Sequence, residues 1–143
     1  MVKILFVCHG NICRSPMAEY VLKDMAAKAG AAERFEIASA AVSREEIGNP
    51  VYPPARRELA KHGISCGGHA ARQVTAADYR HFDRIYYMDA SNARCLSRML
   101  PRNPDKIRPL LSRDVADPWY TGNFAQTWED VVEGCTKIME EFV

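Results

Sequence analysis

A chain of 143 residues with 48% hydrophobic and 26% charged side chains has the balance of a globular protein long enough to bury a core. Its net charge of +1 gives no whole-molecule attraction to nucleic acid or an anionic membrane, so any bound anion must be held by a local site. No apolar run has the length of a membrane span, the run Met1–Val7 is too short for a signal peptide, and the five cysteines lack the spacing of a zinc site or disulfide framework.

These features predict one domain over residues 1–143 in a reducing cytoplasm, where a thiol stays reduced. Lys3–Val7 is a short apolar run of β-formers, as expected of a strand buried on both faces. Ser15-Pro16 then reads as a helix start, with Ser15 as N-cap. Ala18, Val21, Leu22, Met25, Ala26 and Ala29 follow at helical spacing, and Gly30 is the stop. Phe35–Ser39 is a second strand, and Ala55–His62 a helix between Pro53-Pro54 and Gly63.

Thr75 to Asp78 has the form of a capping box for a short helix. Asp83–Met88 is a third strand, Ser91–Leu100 a helix and Lys106–Leu111 a weaker strand. The last segment predicts a helix capped by Thr127, with Glu129 and Asp130 near its positive end. Its apolar stripe runs through Trp128, Val131, Val132, Cys135, Ile138, Met139 and Phe142. Strands alternating with helices imply an α/β sandwich with a mostly parallel sheet, whose ligands sit where strand ends turn into helices.

The first such turn is the segment Cys8-His9-Gly10-Asn11-Ile12-Cys13-Arg14-Ser15. It joins a buried strand to a helix N-terminus, where free N–H groups and the dipole favour an anion. Gly10 and Asn11 tolerate positive φ, so the backbone is expected to curl and aim its N–H groups inward. Arg14 offers a planar fork for two phosphate oxygens. Cys8 lies inside this positive field, which favours the thiolate. A thiolate beneath a cradled phosphate is suited to attack phosphorus and form a phosphocysteine. Ser15 is placed to donate to the sulfur when it departs, and the scheme needs no metal or cofactor.

The leaving oxygen requires a proton, and Asp117, in the turn Asp117-Pro118-Trp119-Tyr120, is the candidate donor and later base. Trp119 and Tyr120 read either as pocket walls or as ordinary packing beside the last helix. Cys66, Cys95 and Cys135 read as small buried hydrophobes. Cys13 is either loop filling or a resolving thiol that pairs reversibly with an oxidised Cys8. His62 and His69 carry no proton-transfer role on sequence grounds, and Arg56, Arg57, Arg94 and Arg98 read as solvated helix charges.

Together these segments resemble the low-molecular-weight protein tyrosine phosphatases along essentially the whole chain. The likeness rests on Val7–Pro16, Ser39, His69-Ala70-Ala71-Arg72, Met88-Asp89-Ala90-Ser91-Asn92 and Asp117-Pro118-Trp119-Tyr120. It implies a three-layer α/β sandwich with a four-stranded parallel sheet in the order 2-1-3-4 and helices on its faces. It implies Cys8 as nucleophile, Arg14 as phosphate clamp and Asp117 as general acid, with the loop from His9 to Ser15 holding the phosphate. Asn11, Ser15, Ser39 and His69 become a supporting network, with Asp89 as partner of the histidine. Ile12, Trp119 and Tyr120 become walls for an aromatic ring, and the implied partner is a phosphotyrosine protein or peptide. Neither nucleic acid nor membrane is an expected partner, and the chain is expected to be a monomer or weakly self-associating.

Two positions depart from the family pattern. Glu45 stands where many relatives carry an aromatic wall, and His9 where the loop is often apolar or small. A protein-arginine phosphatase is the near alternative, although relatives of that kind tend to have Thr in place of Ile12. A thiol-dependent arsenate reductase is more distant, since Cys66 and Cys95 are widely separated. A binding-only or redox-sensing module is the non-enzymatic alternative; it leaves the combination of Cys8, Arg14 and Asp117 without a use.

Overall fold

The computed structural model describes residues 1–143, and its organising element is the first strand, β1 (Val2–Cys8). Ile4 to Cys8 are all buried, because β1 is covered on both faces and paired along both edges. On one edge it runs parallel to β2 (Phe35–Ala41), in register from Val2 opposite Phe35 to Cys8 opposite Ala41. On the other it pairs in parallel with β3 (Arg84–Tyr87), which pairs in turn with β4 (Ile107–Pro109). The four-stranded sheet therefore has the order β2-β1-β3-β4, as expected.

The six α-helices are α1 (Arg14–Lys28), α2 (Pro53–Lys61), α3 (Ala76–His81), α4 (Ala90–Met99), α5 (Pro118–Thr121) and α6 (Phe124–Phe142). Alternation along β1 divides the core between the two faces of the sheet. Ile4, Phe6 and Cys8 join the larger cluster with Val21 and Leu22 of α1, Leu59 of α2 and Val131 of α6. Leu5 and Val7 point the other way, towards Phe82, Leu96 and Leu100 around α3 and α4. These are the three layers of the sandwich.

Gly134 is what brings α6 so near the sheet. A Cβ there would lie 2.4 Å from Leu110 Cγ, so even alanine would push the helix away from the residue that follows β4.

Most expected elements lie within one or two residues of their sequence boundaries, but two caps differ. Cys13, not Ser15, is the N-cap of α1, and it makes no side-chain cap bond. The Ser15 hydroxyl is committed to the Cys8 sulfur instead. Thr127 likewise lies inside α6, whose N-cap is Asn123, with its side chain accepting from Gln126 N–H. Thr127 is buried and donates to the Ala116 carbonyl, and Asp130 accepts from Arg113 and Gln126 rather than lying at the helix start. The short α5 and a 3-10 turn at Ala32–Arg34 had no sequence expectation. No helix is long and apolar enough to cross a membrane.

Candidate active site

The C-terminal end of β1 opens into a cavity of about 480 Å³ with Cys8 and Arg14 in its lining. Cys8 is only 3% exposed. Its Sγ receives the Asn11 N–H at 3.3 Å, the Ser15 N–H at 3.4 Å and lies 3.0 Å from Ser15 Oγ. These donors converge because the loop wraps around the sulfur before entering α1, where the first backbone N–H groups have no helical acceptor.

Asn11 makes that wrapping feasible. It is the one non-glycine residue with positive φ, at 61°, and it is completely buried. Its Nδ2 donates to Ser15 Oγ at 2.8 Å and to Ser39 Oγ at 2.9 Å, while its Oδ1 accepts from Arg72 N–H at 3.2 Å. Its carbonyl lies 2.8 Å from His69 Nε2, which must carry the proton because a carbonyl only accepts. Of the two residues that tolerate positive φ, Asn11 alone adopts it, and Gly10 does not. Its small size serves another purpose: a Cβ there would come within 3.3 Å of Glu46 Cγ.

Arg14 is 2% exposed, and three of its guanidinium donors are engaged. Nη1 donates to Asp89 Oδ2 and to the Val115 carbonyl, each at 2.9 Å, and Nη2 reaches Asp117 Oδ2 at 3.4 Å. Burial works against a buried cation, but negative charge at Cys8, Asp117 and Asp89 outweighs it and raises the guanidinium above its ordinary value. Asp89 is therefore not the partner of His69. It caps α4 through Asn92 N–H and braces Arg14, because β3 delivers it to the end of the sheet beside the guanidinium rather than beside the histidine. Asp117 caps α5, its Oδ1 accepting from Trp119 N–H at 3.1 Å, which aims the other oxygen at Arg14.

The mouth is built differently. Ile12, Trp119 and Tyr120 line it, together with His9, Glu45 and Glu46. Trp119 leans on Tyr52 at a centroid distance of 4.9 Å, and Tyr52 N–H is held by the Ile12 carbonyl. Trp119 is still 54% exposed and Tyr120 85%. Across from them, His9 Nε2 and Glu45 Oε2 form an exposed pair at 3.0 Å. Ser43 ties the same rim down, donating to the His9 carbonyl through both its N–H and its hydroxyl.

The remaining cysteines are all free. Burial, followed by the charges of Cys8 and Asp117, pushes the Cys13 thiol up to about 12. Cys66 and Cys135 are buried and are held as thiols by that burial, while Cys95 is half-buried. No group of three or more His, Cys, Asp or Glu side chains is gathered as a metal site.

The model of the family described as low molecular weight phosphotyrosine protein phosphatase matches residues 3–143. The chain belongs to that family. Among phosphatases of this family, the chain is 41% identical to the low molecular weight protein-tyrosine-phosphatase YfkJ of Bacillus subtilis, over 97% of this chain and 94% of that protein. The crystal structure of YfkJ superposes with a TM-score of 0.95, covering 99% of this chain and 94% of that one. The low molecular weight phosphotyrosine protein phosphatase of Gallus gallus is 40% identical over 98% of this chain and 92% of its own length. The crystal structure of a Drosophila arginine phosphatase also superposes, with a TM-score of 0.87 at 28% identity, covering 99% of this chain and 98% of that one. As a member of this phosphatase family the protein is a phosphoric monoester hydrolase.

Sequence reasoning missed Val115, whose carbonyl holds Arg14, and a buried glutamate behind the pocket loop. Glu19, on α1 and 7% exposed, accepts from Ser39 Oγ at 2.6 Å and from Lys23 Nζ at 2.6 Å. From sequence alone it is an ordinary helix glutamate with a lysine four residues on. The signal was its neighbourhood: Glu19 falls between Ala18 and Val21, on the flank of the stripe that meets the sheet.

Proposed function

We propose that the protein hydrolyses phosphotyrosine in proteins or peptides through a phosphocysteine formed on Cys8. The observation that carries this reading is the single buried guanidinium of Arg14, which joins the Cys8 pocket to Asp117. A phosphate seated in the loop from His9 to Ser15 draws the Arg14 fork onto two of its oxygens. That releases Asp117 Oδ2 to face the bridging oxygen.

The thiolate attacks phosphorus, and the bond from phosphorus to the phenolic oxygen breaks. Asp117 supplies the proton for that oxygen. Backbone N–H groups and Arg14 already surround the equatorial oxygens, so charge redistribution needs little reorganisation. Water then attacks the phosphocysteine, Asp117 takes its proton, and sulfur leaves as thiolate, received by the Ser15 hydroxyl. None of these steps calls for a metal or cofactor. Asn11, Ser39 and His69 hold the loop in shape, Asp89 braces Arg14, and Ile12, Trp119 and Tyr120 form the ring-binding walls. We place this activity in the cytoplasm, in a monomeric or weakly associating protein with no nucleic-acid or membrane partner.

Arginine phosphatase activity is the second reading, favoured by the Glu45 carboxylate at the rim and the likeness to the Drosophila enzyme. Ile12 on the wall offers a guanidinium no polar contact. Arsenate reduction has less support: Cys66 packs with the larger core cluster and Cys95 against the smaller one, on opposite faces of the sheet.

The test compares phosphotyrosine, phosphoarginine and phosphoserine peptides on the native protein and on Cys8→Ser. Phosphotyrosine should give the highest kcat/KM, with Cys8→Ser reducing it by roughly four orders of magnitude or more. Full activity in Cys8→Ser would refute the covalent route, and preference for phosphoarginine would select the second reading.

A further inference from the structure

Glu19 lies two hydrogen-bonded side chains from the residue that contacts the nucleophile, and the chemistry of each link fixes the direction of the next. An ionised carboxylate only accepts, so Ser39 must spend its one hydroxyl proton on Glu19 Oε1, at 2.6 Å. Ser39 Oγ is then left as an acceptor, and Asn11 Nδ2 donates to it at 2.9 Å. The Asn11 amide is held in this orientation from two sides, by Ser39 Oγ accepting from Nδ2 and, through a longer bond of 3.2 Å, by Arg72 N–H at Oδ1, so an acceptor at Ser39 is part of what fixes it. Its second Nδ2 proton goes to Ser15 Oγ at 2.8 Å. Ser15, having accepted, has its own proton free. The Cys8 sulfur at 3.0 Å is a far better recipient than the Ala40 carbonyl at 3.5 Å. Every member is buried, from Glu19 at 7% exposure to Asn11 and Ser15 at 0%, so water does not scramble the order.

We propose that Glu19 is a positioning residue for Cys8: it polarises the relay Glu19–Ser39–Asn11–Ser15 so that the Ser15 hydroxyl always presents its proton to the sulfur. Lys23, donating to Glu19 Oε2 at 2.6 Å, offsets the carboxylate's charge and fixes its position on the helix. The relay therefore delivers an oriented donor to the thiolate rather than a negative field. This inference rests on Cys8 being the nucleophile, and it concerns both the attack and the later departure of sulfur.

The direction of the effect separates this role from simple electrostatics. If Glu19 acted through charge alone, Glu19→Leu would leave Lys23 in excess, and iodoacetamide would alkylate Cys8 at lower pH than in the native protein. The relay predicts the opposite. In Glu19→Leu the alkylation profile, followed at Cys8 by peptide mapping, should move to higher pH, and kcat for an aryl phosphate should fall about tenfold, the scale of one hydrogen bond to a charged group. Glu19→Gln, which keeps one acceptor, should recover part of that loss. Ser39→Ala breaks the relay without touching the Glu19–Lys23 pair, and should shift the profile the same way. It also carries the test if Glu19→Leu does not fold. A shift to lower pH, or a lowered Tm with an unmoved profile, would overturn the proposal. Cys8→Ser, assayed alongside, keeps the two ideas apart: an active Cys8→Ser refutes the nucleophile, whereas an inactive one with unmoved profiles refutes only the relay.

Discussion

The floor and the mouth of the pocket are built on opposite plans. At the floor, Cys8, Asn11, Arg14 and Ser15 are nearly inaccessible, and no fully buried side-chain nitrogen or oxygen lacks a partner. At the mouth, Trp119, Tyr120 and the His9–Glu45 pair are exposed and held by few contacts. A buried polar network has one arrangement of protons and is costly to alter. An exposed rim is tolerant, because water replaces whatever is lost. On the proposed mechanism the chemistry belongs to the floor and substrate choice to the rim.

Arg14→Lys is the harshest test of the floor. An ammonium is a point charge without the fork that reaches Asp89, Val115 and Asp117 together. Loss of kcat by about 10²–10³ is expected in steady-state assays, and a drop under tenfold would contradict the clamp. Asp117→Asn follows. It should lose about 10²-fold with poor leaving groups and much less with an activated aryl phosphate. Equal losses across a leaving-group series would remove Asp117 from the role of acid.

At the mouth, Glu45→Trp should change kcat/KM by less than about tenfold for a small aryl phosphate. Its effect on phosphotyrosine peptides should be larger, since the flanking residues meet the rim. If Glu45→Trp abolished turnover of the small substrate, the division between floor and rim would fail.

The smallest expected effect lies outside the pocket. Asp78 closes the capping box of α3 and grips the Arg72 guanidinium with both oxygens, and Arg72 in turn supplies an N–H to Asn11. Burial pushes the Asp78 carboxyl up, but the bonds from Arg72 and Thr75 win and hold it below its ordinary value of 3.8. A depressed folded value means that its contribution is complete above the unfolded carboxylate range and is lost as pH falls through the folded value. Thermal melts should therefore show Asp78→Asn less stable by a few degrees at neutral pH. The gap should close in strong acid; a gap independent of pH would dismiss this ion pair as the cause.

What sequence could reveal follows the same division. The strand β1, the loop after it and α1 were legible because periodicity and local chemistry lie within a short window. Asp117 was legible from its turn. Asp89 was assigned the wrong partner because its neighbour depends on where β3 ends in space, which no local pattern records. The α6 cap was misplaced because Asn123 and Thr127 are both good capping residues, and only the buried contact of Thr127 with Ala116 decides between them. Glu19 escaped notice because a glutamate with a lysine one turn later has the pattern of a solvated pair. Its burial against Ser39 arises only when β2 lies beside β1.

The parallel sheet also has a consequence for how the protein comes into being. β1 is made first but sits between β2 and β3, and Arg14 waits for an acceptor 101 residues further on, at Val115. Such distant pairings close slowly, since loop entropy is lost before the contacts form. A nascent chain emerging from the ribosome therefore displays the Cys8 segment long before Asp89, Val115 and Asp117 have been synthesised. Until they arrive the thiol has its sequence neighbours but not the bracing of Arg14, so on the proposed mechanism hydrolytic competence waits until the segment through Asp117 has been made and docked.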